Sequence, residues 1–82
     1  MMRHRFTAHS AREYDDAPQE IRRAFDRRIK LLLQNIRHPS LRAKKYNETN
    51  DIWQARLTRG WRFYFRIEDD TYIILSLIRH PK

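Results

Sequence analysis

From Trp53 to Arg66 the chain reads Trp-Gln-Ala-Arg-Leu-Thr-Arg-Gly-Trp-Arg-Phe-Tyr-Phe-Arg, with both tryptophans and the only glycine of the sequence inside it. Bulky apolar residues alternate with polar or cationic ones on either side of Gly60. Period-two alternation specifies strands with one buried face and one wet face. Gly60 divides the run into the two arms of a hairpin. With Thr58-Arg59-Gly60 as a three-residue loop and Gly60 in its left-handed position, Leu57 pairs with Trp61, Ala55 with Phe63 and Trp53 with Phe65. The wet face then carries Gln54, Arg56, Arg62, Tyr64 and Arg66, and Arg56 stands directly across from Arg62. Like charges opposed at about 5 Å between Cβ atoms are destabilising, so that face is expected to hold an anion.

The remaining segments supply a backing for this hairpin. Ile21, Phe25, Ile29, Leu32, Leu33 and Ile36 form one stripe of a 3.6-residue period, with Arg22, Arg23, Arg27, Lys30, Gln34 and Arg37 on the other sides. Pro18 suits the first turn of this helix, Asp16 its cap and Glu20 its positive end. Pro39 disfavours helical geometry at His38 and ends it. Nineteen or so residues span roughly 28 Å, the length of an eight-residue strand at about 27 Å. Ser10-Ala-Arg-Glu13 matches a capping box and predicts a short preceding helix through about Tyr14. Arg3–Thr7 is a candidate first strand.

Ser40–Asp51 reads as a loop with a basic cluster at Arg42, Lys44 and Lys45, able to overhang the hairpin. Tyr72-Ile-Ile-Leu-Ser-Leu-Ile is a last strand of β-favouring residues. A three-residue loop at Asp69–Thr71 sets Phe65 against Leu75 and Phe63 against Leu77. A two-residue turn would oppose Phe63 to Ser76 and expose the apolar set. The preferred register brings His80 diagonally next to Arg62. The expected architecture is α+β in the order β-α-α-β-β-β, an antiparallel sheet with two helices packed on one face, in one domain over residues 1–82.

Charge narrows the partner. Eighteen Lys and Arg against 10 Asp and Glu give +8, a balance suited to RNA, DNA or an acidic protein. There is no cysteine for a disulfide or thiolate metal site, and the four histidines lack metal-ligand spacing. No metal or cofactor is expected. The amino terminus lacks the apolar core of a signal peptide and no apolar run reaches the ~18 residues of a membrane helix. A cytoplasmic setting follows as the expectation.

The long helix, the run His38-Pro39-Ser40-Leu41-Arg42-Ala43-Lys44-Lys45, then Ile52–Leu57, Trp61-Arg62-Phe63-Tyr64-Phe65 and the closing Ile78-Arg79-His80 together resemble the RelE/ParE superfamily of bacterial toxins. The resemblance covers nearly the whole chain. It implies an acidic antitoxin partner that wraps the toxin, and one of two activities. RelE-like members cleave mRNA in the ribosomal decoding site; ParE-like members inhibit DNA gyrase. A catalytic arginine of the nucleases corresponds to Arg62, a basic residue of the preceding strand to Arg56, and catalytic groups from the chain end to His80. Two departures stand out. Gln54 occupies a position where several relatives carry Lys, Glu or His, and the terminal aromatic of relatives is missing.

RNA cleavage by the neighbouring 2′-OH needs a base, stabilisation of the phosphate's developing charge and an acid for the 5′-oxygen. Arginine is protonated at any working pH and cannot be the base. Arg56 and Arg62 suit the phosphate, and histidine is the usual proton carrier near neutrality, which points to His80. Glu48 and Lys44 are candidates for the second proton-transfer group. Arg42, Lys44, Lys45 and Arg66 are the expected RNA contacts, with Tyr64 stacking on a base. The structural alternative is that these cations only solvate an open sheet face. A gyrase inhibitor, or a non-catalytic RNA- or protein-binding module of the same fold, are the other functional readings.

Overall fold

The computed structural model describes residues 1–80; Pro81 and Lys82, the end of the expected domain, lie outside the described residues. Strand β1 (Arg3–Phe6) is followed by helices α1 (Ala8–Asp16) and α2 (Gln19–Gln34), then a 3-10 turn (Pro39–Leu41). Four strands complete the chain: β2 (Lys44–Asn47), β3 (Ile52–Thr58), β4 (Trp61–Glu68) and β5 (Thr71–Arg79). They form one sheet in the order β1-β5-β4-β3-β2. The α+β architecture is therefore as expected, with two differences. β1 runs parallel to β5, so the sheet is mixed, and the segment after the 3-10 turn contributes a fifth strand. Lys-Lys-Tyr-Asn carries no apolar alternation that would mark β2 in sequence. It is an edge strand made by backbone pairing to β3, and lysines are a common device for blunting such edges.

Each helix begins or ends differently from its expected boundary, for local reasons. The capping box of α1 lies one turn earlier, with Thr7 as cap and Ser10 in the reciprocal position. Ser10 is fully buried and its hydroxyl also donates to the Ile74 carbonyl at 2.6 Å. Glu13, released from capping, accepts from the Ser76 hydroxyl and the Leu77 amide at 2.9 Å each. Thus α1 seals the edge of β5 where β1 stops. Helix α2 has no side-chain cap, and Asp16 ends α1 instead of starting α2. It closes at Gln34, short of His38, because Asn35 is extended and its Oδ1 accepts from the Arg37 amide at 3.0 Å. Such a local turn competes directly with helical hydrogen bonding.

The core lies between the helices and one sheet face. Phe25, Leu32 and Leu41 meet Ala55, Leu57, Phe63, Phe65, Ile74 and Leu77, all at most 2% exposed. Phe25 stands edge-on to Phe63 with 5.3 Å between ring centroids. Trp53 and Trp61 pack partly buried against this core. Each large side chain so buried contributes about 1.5–3 kcal/mol. Leu33 and Ile36, at the edge of the helical stripe, are only partly covered.

Both hairpins keep the expected faces by a different route. In the first, Trp53↔Phe65, Ala55↔Phe63 and Arg56↔Arg62 pair as expected, but Thr58 takes the place of Leu57 opposite Trp61. An irregularity between Arg56 and Thr58 absorbs one residue. The turn is Arg59-Gly60, and Gly60 does not have positive φ. In the second, the turn is Asp69-Asp70, with Asp69 left-handed at φ 53°. Phe65 pairs with Ile74, yet Phe63 still meets Leu77, because a register shift lets Leu75 bulge out. A bulge's extra residue resets the alternation, so the short turn leaves the apolar set buried. Among the described residues, no helix is long and apolar enough to cross a membrane.

Candidate functional site

The arginine pair predicted from register is present, with Arg56 directly opposite Arg62 on the face away from the helices. Pairing continues past the last residue of β5, where the His80 amide donates to the Gly60 carbonyl at 2.7 Å. That bond brings His80 to the cleft that Arg62 lines. From the other side, β2 sets Lys44 across from Gln54. Arg42 closes the 3-10 turn in a left-handed conformation, φ 48°. The result is a cleft of about 220 Å³ lined by Arg42, Lys44, Gln54, Arg56, Arg62 and His80, with Ala55 at its floor.

Arg62 is held in place. Its Nη1 donates to the carbonyls of Thr58, Arg59 and Trp61 at 2.8, 3.2 and 3.0 Å. One guanidinium corner thus closes the hairpin turn, and the rest stays available to an anion. The carbonyl dipoles also offset part of the repulsion from Arg56. Among the described residues Arg56 has no such partners. Its guanidinium pKa is lowered, first by the charge of Arg42, then by desolvation, then by Arg62, Arg59 and Arg28. Among the described residues, none of these five arginines forms an ion pair with a carboxylate. A bound anion would offset the repulsion among these arginines.

Beside the cleft, the buried Gln54 amide donates to the Tyr64 hydroxyl at 3.2 Å. Tyr64 in turn packs against Tyr46, ring centroids 4.9 Å apart at 68°. Tyr46 is 61% exposed and continues the aromatic surface outward. Nothing in its own neighbourhood of the sequence singles it out. It would have been found only by placing Lys44 and Tyr46 on alternate positions of a strand.

Three expected site residues lie elsewhere. Lys45 pairs in register with Trp53, lies over that ring at 5.4 Å, and is bound to Asp51 at 2.5 Å, on the sheet face opposite the cleft. Its ammonium pKa is raised, chiefly by the Asp51 hydrogen bond. Arg66 is exposed on the open face opposite Ile73, farther along β4. Glu48 sits near Lys45 at 3.7 Å, beyond the far end of β2. Lys44 is thus the one of the two proposed proton-transfer partners that lines the cleft.

This arrangement of strands and helices is the fold of the RelE-like toxins. An archaeal RelE–RelB complex from Pyrococcus horikoshii OT3 superposes with a TM-score of 0.80 at 19% identity, over 99% of this chain and 97% of the other. The isolated E. coli RelE toxin gives 0.81 at 14% identity, over 100% of this chain and 87% of that one. A YoeB/ParE toxin from Agrobacterium tumefaciens gives 0.80 at 14% identity, over 98% and 100%. No protein-family model and no curated protein matches the sequence. The likeness is one of architecture, with the sequences far diverged.

Proposed function

We propose that this chain is the toxin of a toxin–antitoxin pair, a ribosome-dependent mRNA endonuclease held inactive by an acidic antitoxin. One observation carries the reading: Arg56 and Arg62 face each other in a cleft with Arg42, Lys44 and His80, and among the described residues no carboxylate lines it. The fold shared with RelE and YoeB toxins supports it.

In this reading the scissile phosphate lies between Arg56 and Arg62. The 2′-oxygen attacks phosphorus and forms the new P–O bond as the P–O5′ bond breaks, giving a 2′,3′-cyclic phosphate and a 5′-hydroxyl. Both guanidiniums take up charge developing on the phosphate oxygens. Lys44 and His80 are the groups placed to move protons, one from the 2′-hydroxyl and one to the leaving 5′-oxygen. Tyr64 and Tyr46 support the bases on the way in.

The test is expression of wild type and Arg62→Ala without antitoxin, with growth and transcript 5′ ends followed after induction. Wild type should arrest growth and produce new 5′ ends within coding regions; Arg62→Ala should do neither while retaining its circular dichroism. Cleavage that persists in the variant sinks the site. Arrest with intact transcripts and inhibited supercoiling would move the protein to gyrase inhibition.

A further inference from the structure

Beyond the wall formed by Arg42 and Arg56 lies a second, more open compartment of about 440 Å³, in which Arg28, Ser40, Thr58 and Arg59 join those two arginines. The fold brings Arg28 from α2 against the 3-10 turn and the end of β3. Its Nε is buried and, among the described residues, has no hydrogen-bond partner, although buried donors are nearly always paired. Arg59 reaches the same place from the β3–β4 turn. Four arginines and two hydroxyl side chains therefore meet, and among the described residues no acidic side chain lines the space.

We propose that this compartment is a subsite for a second phosphate of the same single-stranded RNA, next to the phosphate held between Arg56 and Arg62. The proposal rests on the functional reading above and adds the strand's path across the protein. Two features favour a polynucleotide over a lone anion. Arg42 and Arg56 line both compartments, so anions on either side share one pair of cations, as consecutive phosphates of a strand do. Serine and threonine hydroxyls are ordinary donors to backbone phosphate oxygens. The lowered pKa of Arg56 draws on arginines from both compartments, consistent with a single electrostatic unit open to more than one negative charge.

Calorimetric titration with 2′-O-methyl oligonucleotides tests this without cleavage, since the nucleophilic hydroxyl is blocked. A dinucleotide carries one internal phosphate and a trinucleotide two. Wild type should bind the trinucleotide roughly fivefold more tightly at 0.1 M salt, with a log K–log salt slope steeper by about 0.7. Arg28→Gln and Arg59→Gln should each remove most of that increment and return the slope toward the dinucleotide value. An increment undiminished in both variants, or an equal loss for the two ligands, would overturn the subsite. If Arg28→Gln does not fold, Arg59→Gln, altered only in an exposed turn, decides the outcome alone. Cleavage that persists in Arg62→Ala would refute the reaction and leave this increment standing, so the two failures are distinguishable.

Discussion

Where β3 begins and β4 turns into β5, ion pairs form: Arg3 with Asp70 at 3.1 Å and Lys45 with Asp51 at 2.5 Å and Glu48 at 3.7 Å. At the opposite end, around the β3–β4 turn, Arg28, Arg42, Arg56, Arg59 and Arg62 crowd together with His80, and no ion pair is made there among the described residues. Both ends belong to the same sheet. The paired end holds strands and turns together. The unpaired end opposes folding by its own repulsion, in a small domain whose whole stability is about 4–12 kcal/mol. That contrast supports the proposed role of the arginine end, and it gives the other end a part in holding the fold.

The sharpest way to break the contrast is to supply the missing anion. Inorganic phosphate should raise the melting temperature of the wild type, because it binds the folded arginine end and not the unfolded chain. At about a hundred times Kd, mass action gives about 2.7 kcal/mol, roughly 10 °C or more for a domain of this size. Arg56→Gln should melt higher than wild type without phosphate, having lost the cation squeezed by four neighbours, and should lose most of the phosphate response. If Arg56→Gln melts lower and responds normally, the repulsion is already neutralised by some other route and the contrast between the ends fails. Thermal melts followed by circular dichroism are sufficient to tell.

A carboxylate placed at the arginine end should make it resemble the paired end. Lys44 is exposed at the mouth of the cleft, across from Gln54. Lys44→Glu is expected to weaken single-stranded oligonucleotide binding about fivefold or more at 0.1 M salt, with a shallower salt slope. Its melting temperature should rise by a few degrees at most. Unchanged affinity, measured by fluorescence anisotropy, would remove Lys44 from the nucleic-acid surface.

The two ends also differ in how much of each was legible in the sequence. Alternation about Gly60 is enough to put Ala55, Phe63 and Phe65 inside, and pairing them across a short turn is enough to oppose Arg56 to Arg62. Those inferences depend only on a two-residue period and a hydrophobic face. Lys45 was misplaced because β2 has no period of its own; its side follows from pairing with β3. The bulge at Leu75 was hidden for a related reason, since a strand's sequence does not show where its partner skips a residue. Arg28 could be assigned to the polar side of a helix, but not to a compartment built from three separated segments. Local pattern fixed the hairpin that carries the site, while the extent of the site depended on tertiary placement.

The smallest effect is expected at the paired end, where acid provides the probe. The Asp70 carboxyl is held below the usual range, first by the Thr71 hydroxyl at 2.9 Å and then by Arg3. A carboxyl with a depressed folded pKa stabilises the fold above its unfolded value, about 3.9, and that contribution disappears as pH falls through the lower folded value. Asp70→Asn should therefore melt slightly below wild type at pH 6, with the gap closing below about pH 4. The gap should be small because the Arg3 and Asp70 side chains are 74% and 49% exposed and solvent screens such pairs. Among the described residues no carboxylate lines the arginine end, so Arg56→Gln should keep its elevated melting temperature relative to wild type from pH 6 to pH 4. A gap in Asp70→Asn that persists at pH 3 would mean the side chain acts through turn geometry at Asp69-Asp70, and charge pairing would no longer distinguish the two ends.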